Sequence, residues 1–206
     1  KIAKKEGLMN ILVTNGYISM DALSELIKYI DAANVDVKAW SKKVYLEYCK
    51  AELEPVLNAC EELKSKKVHV EVTYLIIPKI NDENEQIVKF AKWVYDKLGP
   101  ETPVHFSRFF PHYKMIHIPP TPVEVLERAR RIALDEGLYY VYIGNVPGHE
   151  GEHTYCPKCG EMVIERYGFS ILAWKLDKHN RCPRCGYKIN IMGTYGGGGG
   201  VIYDIL

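Results

Sequence analysis

Between residues 10 and 146, strand-like and helix-like segments alternate to give five strands and four helices. That β-α-β-α-β-α-β-α-β order calls for a parallel sheet, because parallel neighbours can be joined only by long crossovers, usually helices. NILVTNGYI (10–18) reads as a strand running into a turn. Ser19 caps a helix to about Tyr29 that places Leu23, Leu26, Ile27 and Ile30 on one face. NVDVKAW (34–40) follows as a strand, 53–65 as a helix and VHVEVTYLII (68–77) as the longest strand. Pro78 ends it, and Asp82 with Glu85 predicts a capping box for a helix reaching about Leu98. VHFSRFF (104–110), a helix capped by Thr121 with Pro122 in its first turn, and YYVYIGN (139–145) complete the series. The pattern fits an open doubly wound sheet or part of a (β/α) barrel equally well. No GxGxxG or GxxxxGK[ST] follows the first strand, so the usual phosphate-cradling loops are missing.

NVDVKAW sets two charges among residues that suit a buried strand. Asp36 and Lys38 are two residues apart, so a strand points both to the same side. Parallel α/β folds bind ligands beyond the carboxyl ends of their strands. There this sequence offers Thr14-Asn15-Gly16, then Asp36 and Lys38, then Asn81-Asp82, then Ser107, Arg108 and His112, then Asn145. A carboxylate and an ammonium side by side complement the two ends of an amino acid. The plainer readings are an ion pair at an exposed edge, an Asn-Gly turn, a helix cap at Asp82 and a surface histidine.

The 206 residues suffice for one well-buried domain with an appendage, or for two modest ones. Lys and Arg number 27 against 26 Asp and Glu, a balance that gives no broad footprint for nucleic acid or an anionic membrane. No apolar run reaches the roughly 18 residues of a membrane span. KIAKKEG lacks the apolar core of a signal peptide, does not begin with Met and resembles the tail of a helix, so the chain is expected to be a fragment.

After Asn145 the texture changes. VPGHEGEH (146–153) reads as a linker, and 154–193 as a small separate unit. TYCPKCGEM and NRCPRCGYK hold Cys156, Cys159, Cys182 and Cys185 as two C-P-x-C-G knuckles with 22 residues between them. Two residues between cysteines let both thiolates reach one ion, and Gly160 and Gly186 permit the tight turn that aims backbone N–H groups at sulfur. Four thiolates leave no open coordination position, which makes this a structural zinc ribbon; a rubredoxin-like iron site uses similar knuckles. Paired cysteines of this kind fit a reducing, cytoplasmic compartment. Cys49 and Cys60 read as core or half-buried thiols, and the five glycines of residues 194–206 as a flexible tail.

Taken in order, VTNG, NVDVKAW, VEVTYLIIPKIND, HFSRFFPHYK, PPTP, YVYIGNVPG and the two knuckles resemble the radical S-adenosylmethionine (SAM) enzymes of the AmmeMemoRadiSam type. These are homologues of pyruvate formate-lyase activating enzyme. The resemblance covers about residues 1–193. It implies a partial (β/α) barrel over 1–146, here without its N-terminal strands, and a zinc ribbon over 147–193. It also implies a [4Fe–4S] cluster that reduces SAM to a 5′-deoxyadenosyl radical for hydrogen abstraction. Asp36 and Lys38 match the D-x-K strand that grips the methionine end of the cofactor, and Thr14 and Asn15 match the TNG segment beside it. His112 stands near a cofactor-contacting histidine, although Pro-His-Tyr here replaces the family's Pro-Tyr-His. Val13 stands where activating enzymes carry a cation-binding acid.

The family's CxxxCxxC loop occurs nowhere in the chain, so the resemblance implies that it lies upstream and that this fragment alone is inactive. It further implies an electron donor such as ferredoxin or flavodoxin, and leaves the substrate unnamed, a protein among the candidates. The rival readings are a zinc-ribbon adaptor for protein or nucleic acid, and an aldolase-like α/β enzyme of other chemistry.

Overall fold

The computed structural model describes residues 1–193 and Tyr195. Helix α1 (Ile2–Lys5) leads to β1 (Ile11–Thr14), α2 (Met20–Leu26), β2 (Ala32–Asp36) and a short α3 (Lys42–Val44). Then come α4 (Leu53–Ser65), β3 (His69–Ile76), α5 (Asn84–Trp93), β4 (Val104–Arg108), α6 (Val123–Asp135) and β5 (Val141–Gly144). The five strands form one sheet in the order β1-β2-β3-β4-β5, each pair parallel. A doubly wound sheet reverses its strand order at a switch point. This one never does, so it is wound as in a (β/α) barrel.

Burial alternates along β3 and β5. Val35, Val72, Tyr74, Val104 and Phe106 are fully buried in one core with Leu63, Phe90, Val94 and Leu126 of the helical segments. Phe90 lies 5.0 Å from Tyr74 and 6.1 Å from Phe106, ring centre to ring centre. Fully burying a side chain of this kind contributes about 1.5–3 kcal/mol. The opposite face carries Asn34 and Asp36 from β2, Glu71 and Thr73 from β3, His105 and Ser107 from β4, and Tyr142 from β5. Among the described residues, no helix is long and apolar enough to cross a membrane.

Several local expectations change. The strand expected over 34–40 begins at Ala32 and ends at Asp36, although Val37 N–H still donates to the Thr73 carbonyl. Asp82 caps no helix: its carboxylate accepts from Lys79 N–H in the turn after β3, and α5 starts after Glu83 without a side-chain cap. Thr121 is likewise no cap, since α6 begins after Pro122. Its buried hydroxyl donates to the Ile76 carbonyl at 2.6 Å and accepts from Phe109 N–H, pinning the Pro-rich loop across β3 and β4. Cys60 is buried, whereas Cys49 is exposed.

The expected linker is a packed segment. Gly151 lies so close to Ile143 that a Cβ would sit 3.1 Å from its side chain. Buried Glu152 accepts from Gly148 N–H and Gly168 N–H. Beyond it, β6 (Thr154–Tyr155), β7 (Met162–Tyr167) and β8 (Ser170–Trp174) form an antiparallel sheet over a second small core. This lobe is tied to the large sheet by Tyr187 Oη donating to Glu101 and by Asn190 N–H donating to Tyr140 Oη. The tail expected over 194–206 lies, Tyr195 apart, outside the described residues.

Candidate functional site

All five strands point their carboxyl ends to one edge, and β2 delivers Asp36 and Lys38 there. Their side chains are 31% and 38% exposed, and Lys38 Nζ lies 2.6 Å from Asp36 Oδ2. The main chain beneath them is fixed more firmly than the side chains. Lys38 N–H donates to Tyr45 Oη at 3.0 Å, and the Lys38 carbonyl accepts from Asn81 Nδ2 at 2.7 Å. Asn81 is fully buried; its Oδ1 takes Ile77 N–H, and its carbonyl takes the Tyr74 hydroxyl. Burial raises the Tyr45 and Tyr74 hydroxyls above their ordinary range, so both remain protonated.

The other expected residues are placed less favourably. Thr14 shares its parity with half-buried Leu12, and its hydroxyl accepts from Gly16 N–H within the turn. Exposed Asn15 accepts from Tyr17 N–H. Gly16 has φ +71° and would place a Cβ 2.7 Å from Val35 Cγ1, so the turn requires glycine twice over. His112 follows β4, two strands from β2, and is exposed with no side-chain cap bond. Asp36 and Lys38 thus meet, Thr14 and Asn15 stand at the neighbouring strand's exit, and His112 lies farther along the same edge. Val13, where a cation-binding acid would stand, is exposed.

The four knuckle cysteines do converge. All their sulfurs lie within 4.8 Å of one another, with Cys156–Cys185 at 3.5 Å and Cys159–Cys182 at 3.7 Å. A tetrahedron with metal–sulfur bonds of about 2.3 Å has edges of about 3.8 Å. The set therefore fits one tetrahedral ion, whereas a [4Fe–4S] cube places each thiolate on a different iron and spreads them wider. The two knuckles repeat each other: Gly160 N–H donates to Cys156 O and Gly186 N–H to Cys182 O, with φ of +73° and +71°. The Tyr187 amide draws the Cys185 thiol down to about 7, while burial pushes Cys156 up to about 12.

A third group went unread in the sequence. On the open face, Glu71 Oε2 lies 2.7 Å from His105 Nε2, and Glu71 Oε1 lies 3.1 Å from His69 Nε2. Burial would raise this carboxyl, but the two imidazoles overcome it and hold it at about 2. An ionised carboxylate only accepts, so both imidazoles donate through Nε2. The signal was present as His69, Glu71 and Thr73 at every second position of the strand read over 68–77.

Residues 1–91 match the radical SAM superfamily. An uncharacterized protein of Methanocaldococcus jannaschii is 50% identical over 93% of this chain and 57% of its own length. Pyruvate formate-lyase 1-activating enzyme of Escherichia coli K12 is 22% identical over 64% of this chain and 58% of the enzyme. The chain thus spans under three fifths of these relatives. In fold it is similar to a domain of pyruvate-formate lyase-activating enzyme from Bacteroides vulgatus, with TM-score 0.61 and 16% identity over 70% of this chain and 86% of that domain. A radical SAM methyltransferase from Sphaerobacter thermophilus gives TM-score 0.55 at 14% identity, over 71% of this chain and 46% of that one.

The Glu71 cluster makes stability depend on pH in a defined direction. Its carboxyl is depressed from 4.5 to about 2, so its contribution is complete above about pH 4.5 and is lost as the pH falls toward 2. The shift corresponds to on the order of 3 kcal/mol. Urea titrations of wild type and Glu71→Gln should show a gap of that order at pH 5 that closes by pH 2. A gap that stays constant across this window would mean that Glu71 is not held ionised.

Proposed function

We propose that the chain is the C-terminal part of a radical SAM enzyme of the activating-enzyme type, related to the AmmeMemoRadiSam group. The observation that carries this reading is the Asp36–Lys38 pair, which stands at the carboxyl edge of the sheet inside the segment that matches the superfamily.

The pair suits the amino-acid end of SAM. Lys38 Nζ would take its carboxylate and Asp36 its ammonium. A partly exposed ion pair is worth at most about 1 kcal/mol, so opening it costs little. In its place come charge-assisted hydrogen bonds at both ends of the cofactor. Tyr45 and Asn81 hold the main chain of Lys38 from both sides, so the ammonium is delivered from a fixed base. Thr14 and Asn15 would line the pocket from the neighbouring strand and His112 from beyond β4. None of them carries out redox chemistry; they bind and orient. When bound, SAM and a [4Fe–4S] cluster supply one-electron chemistry and hydrogen abstraction. The cluster's thiolates would come from residues beyond this chain, which supplies neither a CxxxCxxC loop nor spare paired cysteines. An electron donor such as ferredoxin or flavodoxin would reduce it in the cytoplasm, and the substrate carries no assignment.

Zinc is the ion we assign to the four knuckle cysteines, as a brace for the small lobe. Elemental analysis of purified protein should return one zinc per chain, falling to none in Cys156→Ser/Cys182→Ser. One iron per chain with rubredoxin-like absorbance would overturn the assignment.

In the full-length protein with its cluster reconstituted, Lys38→Ala should weaken SAM binding by about tenfold or more, the loss expected for one charge-assisted hydrogen bond. Calorimetric titration measures it. Unchanged affinity in a folded Lys38→Ala protein would sink the proposed pocket.

A further inference from the structure

A cavity of about 230 Å³ opens on the helix-free face of the large sheet. It lies over the first halves of β1–β4, where Ile11, Ala32, His69 and Pro103 begin or precede their strands, and runs along β5 to Asn145. Asp36 and Lys38 stand at the other end of the strands. Its mouth is apolar and drawn from three separate parts of the chain: Met9 before β1, Phe169 in the β7–β8 turn and Met192 near the end of the described residues. All three are exposed, Phe169 by 75%. At its floor lie Glu71, His69 and His105, with Tyr142 stacked 5.0 Å from the His105 ring. An apolar cleft with a few converging polar groups is the usual form of a small-molecule site.

The polar groups decide what it takes. Asn145 spends both amide hydrogens, on Ser107 Oγ and the Arg108 carbonyl, and keeps its oxygen. Arg166 donates to Thr154 Oγ1 and the Glu152 carbonyl, with its guanidinium over the Tyr142 ring. His69 and His105 both turn Nε2–H to Glu71 and so fix their rings against its carboxylate. His105 is 7% exposed, and its Nδ1 has no hydrogen-bond partner among the described residues. Each Glu71 oxygen takes one imidazole and has room for another donor. Of the charged groups around the cavity, Asp31 is engaged by Lys4 and the Asn10 amide, and Glu152 by two backbone amides. Acceptor capacity remains on Glu71 and Asn145, and among the lining residues the carboxylates of Asp31, Glu71 and Glu152 outnumber Arg166.

We propose that this cavity is a binding site for an amine: a ligand with an aromatic or alkyl body held by the Met9–Phe169–Met192 mouth and an ammonium head seated on Glu71. The assignment does not depend on the radical SAM reading, because no residue in it is placed on the cofactor.

Three probes of equal length separate the alternatives in NMR titrations of the whole chain: 4-phenylbutylamine, 4-phenylbutanol and 4-phenylbutyrate. The amine should bind tightest, shift the His69, His105 and Tyr142 ring signals, and lose about tenfold or more in affinity in Glu71→Gln. Phe169→Ala, at an exposed position, should weaken the amine several-fold without changing the melting temperature. The proposal is overturned if the carboxylate binds as tightly as the amine, if no probe shifts these rings, or if folded Glu71→Gln binds the amine unchanged. Should Glu71→Gln fail to fold, the amine–carboxylate comparison and Phe169→Ala decide.

Discussion

A parallel sheet whose strand order never reverses receives its crossover helices on one side only. Here α4, α5 and α6 bury Val35, Val72, Tyr74, Val104 and Phe106 and leave the other face to Asn34, Glu71, Thr73, His105 and Tyr142. A sheet face without helices must carry polar side chains, be covered from elsewhere in the chain, or bind something. This chain uses the first two, since the face is polar and the small lobe with its preceding segment closes over the β5 side, and the cavity left between them is where we place the third. The same winding brings every strand exit to one edge, which is why Asp36 and Lys38 stand beside the turn after β1.

The two ends of the open face have different electrostatics. At the exit edge, Asp36 and Lys38 stay about one-third exposed, so water screens them and the pair opens cheaply. Toward the strand starts, Glu71 is only 16% exposed and held by two imidazole donors, and the loss of either would leave a largely desolvated carboxylate. A weak pair can exchange partners with a zwitterion; the Glu71 cluster instead holds its own geometry and offers its remaining acceptor sites.

Much of this was legible in the sequence. The period-2 and period-3.6 patterns located five strands and four crossover helices, and the helix expected over 53–65 has those bounds. The paired C-P-x-C-G spacing identified the convergent thiolates, because two residues between cysteines and a left-handed glycine leave the chain little choice. Long-range hydrogen bonding was hidden. Asp82 and Thr121 have cap chemistry, yet one closes a turn and the other joins strands distant in sequence. The Pro-Gly texture of 146–153 suggested a linker, whereas Glu152 finds two amides that no local pattern announces. His69, Glu71 and His105 pair only once β3 lies beside β4. Strand order also had to come from the structure, since local periodicity is the same in doubly wound sheets and barrels.

The central claim is that this sheet edge holds SAM for reductive cleavage. Full-length protein with a reconstituted [4Fe–4S] cluster, reduced with dithionite and given SAM, should release 5′-deoxyadenosine, measured by liquid chromatography. The account predicts release by wild type and its loss in Asp36→Asn/Lys38→Ala. Absence of 5′-deoxyadenosine from a wild-type protein with an intact, reduced cluster would contradict it, as would undiminished release by the double variant.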